Sequence, residues 1–220
     1  MKECFFKQAT ETMIIYNFKK AFEYGCTRCS LSERDTQPIL YKGNLDSKIL
    51  LVGEAPGKVE EEQKTPFVGP AGKLLDNIMG AISLDTEKDM CLTNSLYCRP
   101  AAPENSGKQN HTPKAEQLKQ CQPFLHNFIK IIRPDVIIAC GRTALHQLTG
   151  NNKLKMKDHE GKWTEYIKFG NGSVGIKLPM FVMTHPAAIL HMSKDIESQK
   201  KKKKEVWQYM QYFIDTWEKK

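Results

Sequence analysis

The sequence predicts an α/β fold built on a mainly parallel sheet, and two observations lead there. Four short apolar runs bounded by turn residues read as buried strands, and segments of helix length and helical periodicity lie between them. Such alternation favours a parallel sheet, because each helical crossover returns the chain to the same end of the sheet.

The strand candidates are 48–53 (KILLVG), 90–94 (MCLTN), 135–141 (DVIIACG) and 179–184 (PMFVMT). Between the first two, Leu74, Leu75, Ile78 and Met79 share one helical face. Between the second and third, Leu118, Cys121, Leu125, Phe128, Ile129 and Ile132 do the same. Thr112 and Pro113 supply a cap and a first position for that helix, and Pro123 is predicted to bend it or delay its start. Residues 101–111 (AAPENSGKQNH) lack apolar periodicity and read as a surface loop. The polar stretch 150–175 is predicted to hold a short hairpin around 163–169, and no internal repeat is visible.

A chain of 220 residues is long enough to bury one substantial core, so a single domain over 1–220 is expected, with 200–220 as a basic tail or helix. Lysine and arginine total 33 against 25 acidic residues, a formal charge of +8 that favours polyanions such as nucleic acid. Part of this excess is the lysine run 200–204, which reads as a solvated segment. No stretch approaches the roughly 18 apolar residues of a membrane span, and the N-terminal segment lacks a signal-peptide cleavage site; a soluble, intracellular protein is expected. Seven cysteines without an export signal argue for free thiols, catalysis or metal rather than a disulfide framework.

In a sheet of this kind ligands gather at the carboxyl ends of the strands. Gly53-Glu54-Ala55-Pro56-Gly57 follows the first run, Asn94 closes the second, and Thr184-His185-Pro186 follows the fourth. The glycine-rich turn has neither a Walker lysine nor GxGxxG spacing, so a nucleotide-binding loop fits poorly. Cys26 and Cys29 form a CxxC, and Cys98 and Cys121 lie beside the Asn94 segment and on the following helix. Four thiolates suit a 4Fe-4S cluster or zinc, and a single CxxC favours the cluster over a zinc ribbon. Cys4, Cys91 and Cys140 are left over, the last two as ordinary buried thiols within strands.

The segments GEAPG, PFVGPAG, LTNSLYCRP, PDVIIACGRTAL and THPAAIL occur in the order and approximate spacing of one family, and over residues 22–192 the chain resembles the iron-sulfur (family 4) uracil-DNA glycosylases. The resemblance implies a three-layer α/β/α fold around a four-stranded sheet. It implies an enzyme of base excision repair that flips deoxyuridine out of single- or double-stranded DNA and hydrolyses its glycosidic bond. By the same resemblance, Cys26, Cys29, Cys98 and Cys121 ligate the cluster. Glu54 and His185 are the catalytic pair: His185 donates to uracil O2, and Glu54 either positions water or stabilises the cationic sugar. Gly53, Ala55, Gly57, Phe67 and Asn94 form the base site, Phe67 stacking on uracil and the Asn94 amide matching its pairing edge against that of cytosine.

The better-known uracil glycosylases carry GQDPY at this turn, so Ala55 and Gly57 stand where an aspartate and a tyrosine would be, and thymine exclusion falls to Phe67 or Glu60. The loop after Cys98 is longer than the family's, and a cross-linking branch places a covalently reactive histidine there, which makes His111 the alternative to test. Pro186, Ala187, Ile189, Leu190 and His191 are expected at the DNA, with Ile189 and Leu190 as minor-groove wedges. His191 replaces a usual arginine, and Lys194 or the 200–204 run would supply the lost phosphate contact, giving steep salt dependence. A catalytically quiet DNA-binding module of the same fold is the competing function. A monomer is expected.

Overall fold

The computed structural model describes residues 26–34, 37–107, 109–168, 176–192 and 196–217. Cys4, Lys194 and the turn of the expected hairpin lie outside them. In chain order the elements are β1 (Tyr41–Gly43), β2 (Ile49–Gly53), α1 (Lys58–Gln63), α2 (Pro70–Gly80), β3 (Met90–Asn94), α3 (Ala115–Ile132), β4 (Val136–Cys140), α4 (Arg142–Thr149), α5 (Met156–His159), β5 (Trp163–Lys168), β6 (Ile176–Met183), α6 (Pro186–Leu190) and α7 (Ile196–Trp217). Among the described residues the strands form one six-stranded sheet ordered β1-β3-β2-β4-β6-β5.

The four expected strands are the central four, and all their pairings are parallel. The sheet is larger than the expected four strands because an antiparallel strand closes each edge. The short β1 has half-buried residues throughout and carries no apolar run, which hides it from a hydropathy reading. Strand β5 lies where the hairpin was expected, and its partner is β6 itself, which therefore begins three residues before 179.

Every residue of β2, β3 and β4 is buried, because the sheet is covered on both faces. On one face Ile49, Leu51, Leu92 and Ile138 pack with Leu75, Ile78 and Met79 of α2 and Val206, Met210 and Phe213 of α7. On the other, Leu50, Val52, Cys91 and Ile137 pack with Leu125, Phe128 and Ile129 of α3 and Leu145 and Leu148 of α4. Cys91 and Cys140 are buried strand residues of these cores.

One helix boundary differs from expectation. Helix α3 starts at Ala115, not at Pro113, because the Gln117 side chain accepts the Lys114 amide hydrogen at 2.9 Å and closes the first turn there. It then runs unbroken through Pro123, which is exposed together with Lys119, so the carbonyl that loses its helical partner faces water. Of the tail or helix expected at the C-terminus, the chain forms helix α7. Trp163 and Phe213 stack with ring centroids 5.6 Å apart, Phe181 meets Phe213 at 5.3 Å, and Trp163 donates from Nε1 to Thr216 at 2.9 Å. Aromatic pairs of this kind each contribute about 0.5–1.5 kcal/mol beyond the area they bury.

Candidate active site

The parallel register that pairs β2 with β3 sets Gly53 beside Asn94 at the carboxyl edge of the sheet. Ser95 then donates to the Gly53 carbonyl twice, from its amide at 2.9 Å and its hydroxyl at 2.8 Å, and the Leu96 amide donates to the Glu54 carbonyl at 3.0 Å. The start of the GEAPG turn is thus held by the residues that follow Asn94. A β-carbon at position 53 would stand 2.6 Å from both Asn94 Oδ1 and Phe67 Cζ. Only glycine lets these two side chains approach the strand end so closely.

Phe67 reaches this place through a left-handed backbone, φ 58°, and is buried. Glu60 fixes the spacing between its loop and the GEAPG turn: Oε2 accepts the Gly57 amide hydrogen at 3.0 Å and Oε1 that of Gly69 at 2.8 Å. One carboxylate therefore ties together the two turns that frame the site. Both of its oxygens accept from backbone, and Oε2 lies 2.6 Å from where a β-carbon at Gly57 would stand.

Glu54 and His185 are both buttressed by the start of α4. Thr143, in the first turn of that helix, donates to Glu54 Oε2 at 2.5 Å. Gly141, its cap, has φ 92°, and a β-carbon there would lie 2.8 Å from the His185 β-carbon. Glycine is required at 141 by conformation and by space together. His185 caps α6, its Nδ1 accepting the Ala187 amide hydrogen at 3.2 Å. An accepting Nδ1 carries no proton, so in the neutral ring the hydrogen sits on Nε2. Burial lowers the His185 pKa below its ordinary value, against the opposing pull of the Glu54 and Glu60 charges.

The cysteines assemble beneath the same turn. Leu31, Leu96, Tyr97 and Cys121 form a small apolar cluster against which Cys26, Cys29, Cys98 and the methyl of Ala55 pack. Ala55 is thus half-buried against the cluster that holds Cys121. Burial, reinforced by the neighbouring thiols, pushes Cys98 up to about 12 and Cys121 to about 11. Such thiols ionise only beside a strong positive charge, which a metal centre supplies. Among the described residues no three His, Cys, Asp or Glu side chains form a group that could hold a single metal ion.

Residues 40–211 match the Uracil DNA glycosylase superfamily. The chain belongs to the uracil-DNA glycosylase superfamily. It is 33% identical over 183 residues to a type-4 uracil-DNA glycosylase of Archaeoglobus fulgidus, covering 80% of this chain and 85% of the relative. Type-4 uracil-DNA glycosylases of Thermotoga maritima and Saccharolobus solfataricus are 35% and 32% identical, covering 75% and 82% of this chain and 78% and 81% of their own lengths.

Against that superfamily background, one expected DNA-contacting residue is corrected. Ile189 is fully buried in the core under α6, because residues 186 and 189 form the inner face of that short helix, so it is unavailable as a wedge. Pro186 is buried with it, and Ala187 is half-buried. The exposed large apolar side chains of the segment are Leu190 and Met192, with His191 exposed between them.

The loop 101–111 is fastened at its base. Arg99 donates to Asn110 Oδ1 at 2.7 Å and to the Gln109 carbonyl at 2.8 Å, and pairs with Glu61 of α1 at 2.7 Å. A bridge between Ala101 and Asn110 closes it. His111 is tied to this base through its amide to the Pro100 carbonyl at 2.8 Å, with Nδ1 2.7 Å from the Thr112 carbonyl.

Ser95, Thr143, Gly141 and the true role of Glu60 escaped the sequence reading. For Glu60 a signal existed, since a glutamate three residues after a turn glycine has the N3 spacing of a capping box, and Glu60 accepts the Gly57 amide hydrogen. Gly141 and Thr143 lay inside the quoted segment PDVIIACGRTAL, but only the fold shows what they touch.

Proposed function

We propose that the chain hydrolyses the bond between deoxyribose and uracil in DNA, leaving an abasic site, with Glu54, Phe67, Asn94 and His185 as its working residues. The observation that carries this reading is the convergence of those four residues on the Gly53–Gly57 turn at the carboxyl edge of the sheet. Departure of the base builds negative charge on uracil O2 and positive charge on the sugar. His185 answers the first: its Nε2 hydrogen is free to donate because Nδ1 is engaged by Ala187. A low pKa keeps the ring neutral, a donor that gives up no proton of its own. Glu54 answers the second as a fixed anion, held by Thr143 so that it either faces the sugar or orients the attacking water. Asn94, locked against Gly53, offers its amide to uracil O4 and N3, and Phe67 supplies the stacking face that a flipped base needs.

Cys26, Cys29, Cys98 and Cys121 would hold a 4Fe-4S cluster, one thiolate to each iron; a single zinc is the lesser fit to one CxxC and two distant cysteines. These cysteines would thereby join residues 26–29, the segment after Asn94 and α3. Leu190, His191 and Met192, exposed after α6, would meet DNA beside the flipped nucleotide. One copy of the chain contains the whole site, which supports a monomer.

The test is alkali-revealed cleavage of a labelled oligonucleotide with one deoxyuridine, beside thymine and cytosine controls and a denaturing gel for adducts. Cleavage at uracil alone, reduced about 10²–10³-fold by His185→Ala, is expected. Full activity of His185→Ala removes that assignment. A slowly migrating adduct lost on His111→Ala would transfer the reading to covalent trapping, and no reaction with cluster-loaded protein would leave a DNA-binding module.

A further inference from the structure

Behind His185 lies a polar cluster for which the proposed chemistry has no use. Glu160, at the end of α5, carries a carboxylate only 17% exposed. Its Oε1 accepts from the hydroxyl of Thr184, the residue before His185, at 2.7 Å. Its Oε2 pairs at 2.7 Å with Lys202 of α7, itself 17% exposed. Lys202 also lies 3.2 Å from Glu205, which accepts from the Tyr209 hydroxyl. The ammonium stands 5.8 Å from the Tyr209 ring centroid.

The backbone is shaped to make this contact. Gly161 has φ 67°, and a β-carbon there would come within 2.5 Å of the Tyr209 ring, so only glycine lets α7 approach. Its amide donates to the Val182 carbonyl at 2.9 Å, two residues before Thr184. Glu160 is thus anchored to the strand that delivers His185, and through Lys202 to the C-terminal helix. Within the run 200–204, Lys202 alone is turned inward, on the helical face it shares with Val206; the other four lysines are exposed.

We propose that Glu160 is a positioning residue for the reaction: by joining Thr184 to Lys202 it sets the His185 backbone and locks the active-site segment to α7. The proposal rests on the role of His185 given above. A loose strand end at Thr184 would let the imidazole drift, and positioning errors of about 1 Å cost rates on the order of 10²-fold. An interior carboxylate that bridges a hydroxyl and an ammonium from two separate elements has both oxygens occupied, so it holds direction as well as distance. The four outward lysines then sit on the same rigid helix, at a fixed offset from the base site.

The test is single-turnover uracil release by cluster-loaded protein, with the DNA dissociation constant and melting temperature measured for each variant. Thr184→Val cuts the link to Glu160 and leaves the ion pair. It is expected to slow release about tenfold with DNA affinity within twofold of wild type, and Thr184→Ser is expected to restore the rate. Glu160→Gln, which keeps an acceptor for Thr184 but weakens the hold on Lys202, is expected to slow release less, and to an extent matched by Lys202→Met.

The deciding comparison repeats Thr184→Val in a His185→Ala background. A residue that acts through His185 has nothing left to position there, so no further slowing is expected. Equal slowing in both backgrounds, or a wild-type rate for Thr184→Val, overturns the proposal. Should Thr184→Val fail to fold, Glu160→Gln in the two backgrounds gives the same decision. If His185→Ala alone keeps full rate, it is the reading of His185 that fails, and the positioning role falls with it.

Discussion

Replacing Gly53 by alanine should damage the reaction far more than the fold. The added methyl would lie 2.6 Å from Asn94 Oδ1 and from Phe67 Cζ, about 0.8 Å inside ordinary contact distance on each side. It presses on both groups at once, and neither can retreat freely. Asn94 is 3% exposed and register-locked beside Gly53, while Phe67 is 6% exposed on a left-handed backbone. Displacements approaching 1 Å at a base-reading amide and a stacking ring cost about 10²-fold in rate. The overpacking itself costs about 1–3 kcal/mol of stability. The assay is single-turnover release of uracil under saturating enzyme, with a melting curve on the same preparation and a cytosine control. The expected result is a folded protein, slowed about 10²-fold, with discrimination against cytosine reduced because Asn94 has turned. A rate within threefold of wild type would show that Asn94 and Phe67 do not grip the base from these positions.

Thr143→Val removes a hydrogen bond to a charged carboxylate, worth about 1.5–3 kcal/mol; base release should slow by roughly ten- to a hundredfold in a rapid-quench assay. Because burial holds His185 below its ordinary pKa of about 6.5, the unfolded chain binds the proton first as pH falls through that value. Native stability should therefore decline with falling pH below about 6.5, and the acid limb of the rate profile should lie below it too. Urea titrations at pH 5 and 7 check the first, with the decline reduced in His185→Ala; an acid limb above 6.5 would contradict the second. Cys98→Ala should lose iron and melting temperature together, read by iron analysis and calorimetry; a stable, iron-free, fully active variant would contradict the ligand set.

The central sheet was legible because strands covered on both faces must be written as unbroken apolar runs, as in 49–53 and 136–140. The edges were not. Three half-buried residues such as Tyr41–Gly43 carry no pattern of their own and are strand only because β3 offers them a ladder. In the site, Glu54, Phe67, Asn94 and His185 stood in segments already singled out, since chemistry of this kind selects residue types. What holds them was hidden: Thr143 meets Glu54 across 89 positions of sequence, and no local spacing announces that. Ile189 was misread because exposure was assigned to a whole segment, whereas the roughly 100° between successive helical residues turns it inward and Leu190 outward. Lys202 was misread as one of five solvated lysines, although it lies one helical turn before Val206, on the stripe that continues through Met210 and Phe213.

The clamp made by Arg99 separates the long loop into two mechanical parts. Its base is cross-braced to α1 and closed by the bridge at residues 101 and 110, while the tip around Pro103–Gly107 is exposed. Chain added at the tip would be felt only as far as that brace. An affinity handle or a fluorophore placed near Ser106 should therefore report on this enzyme bound to DNA without disturbing the Gly53–Gly57 turn, a use for which most active-site loops are unsuited.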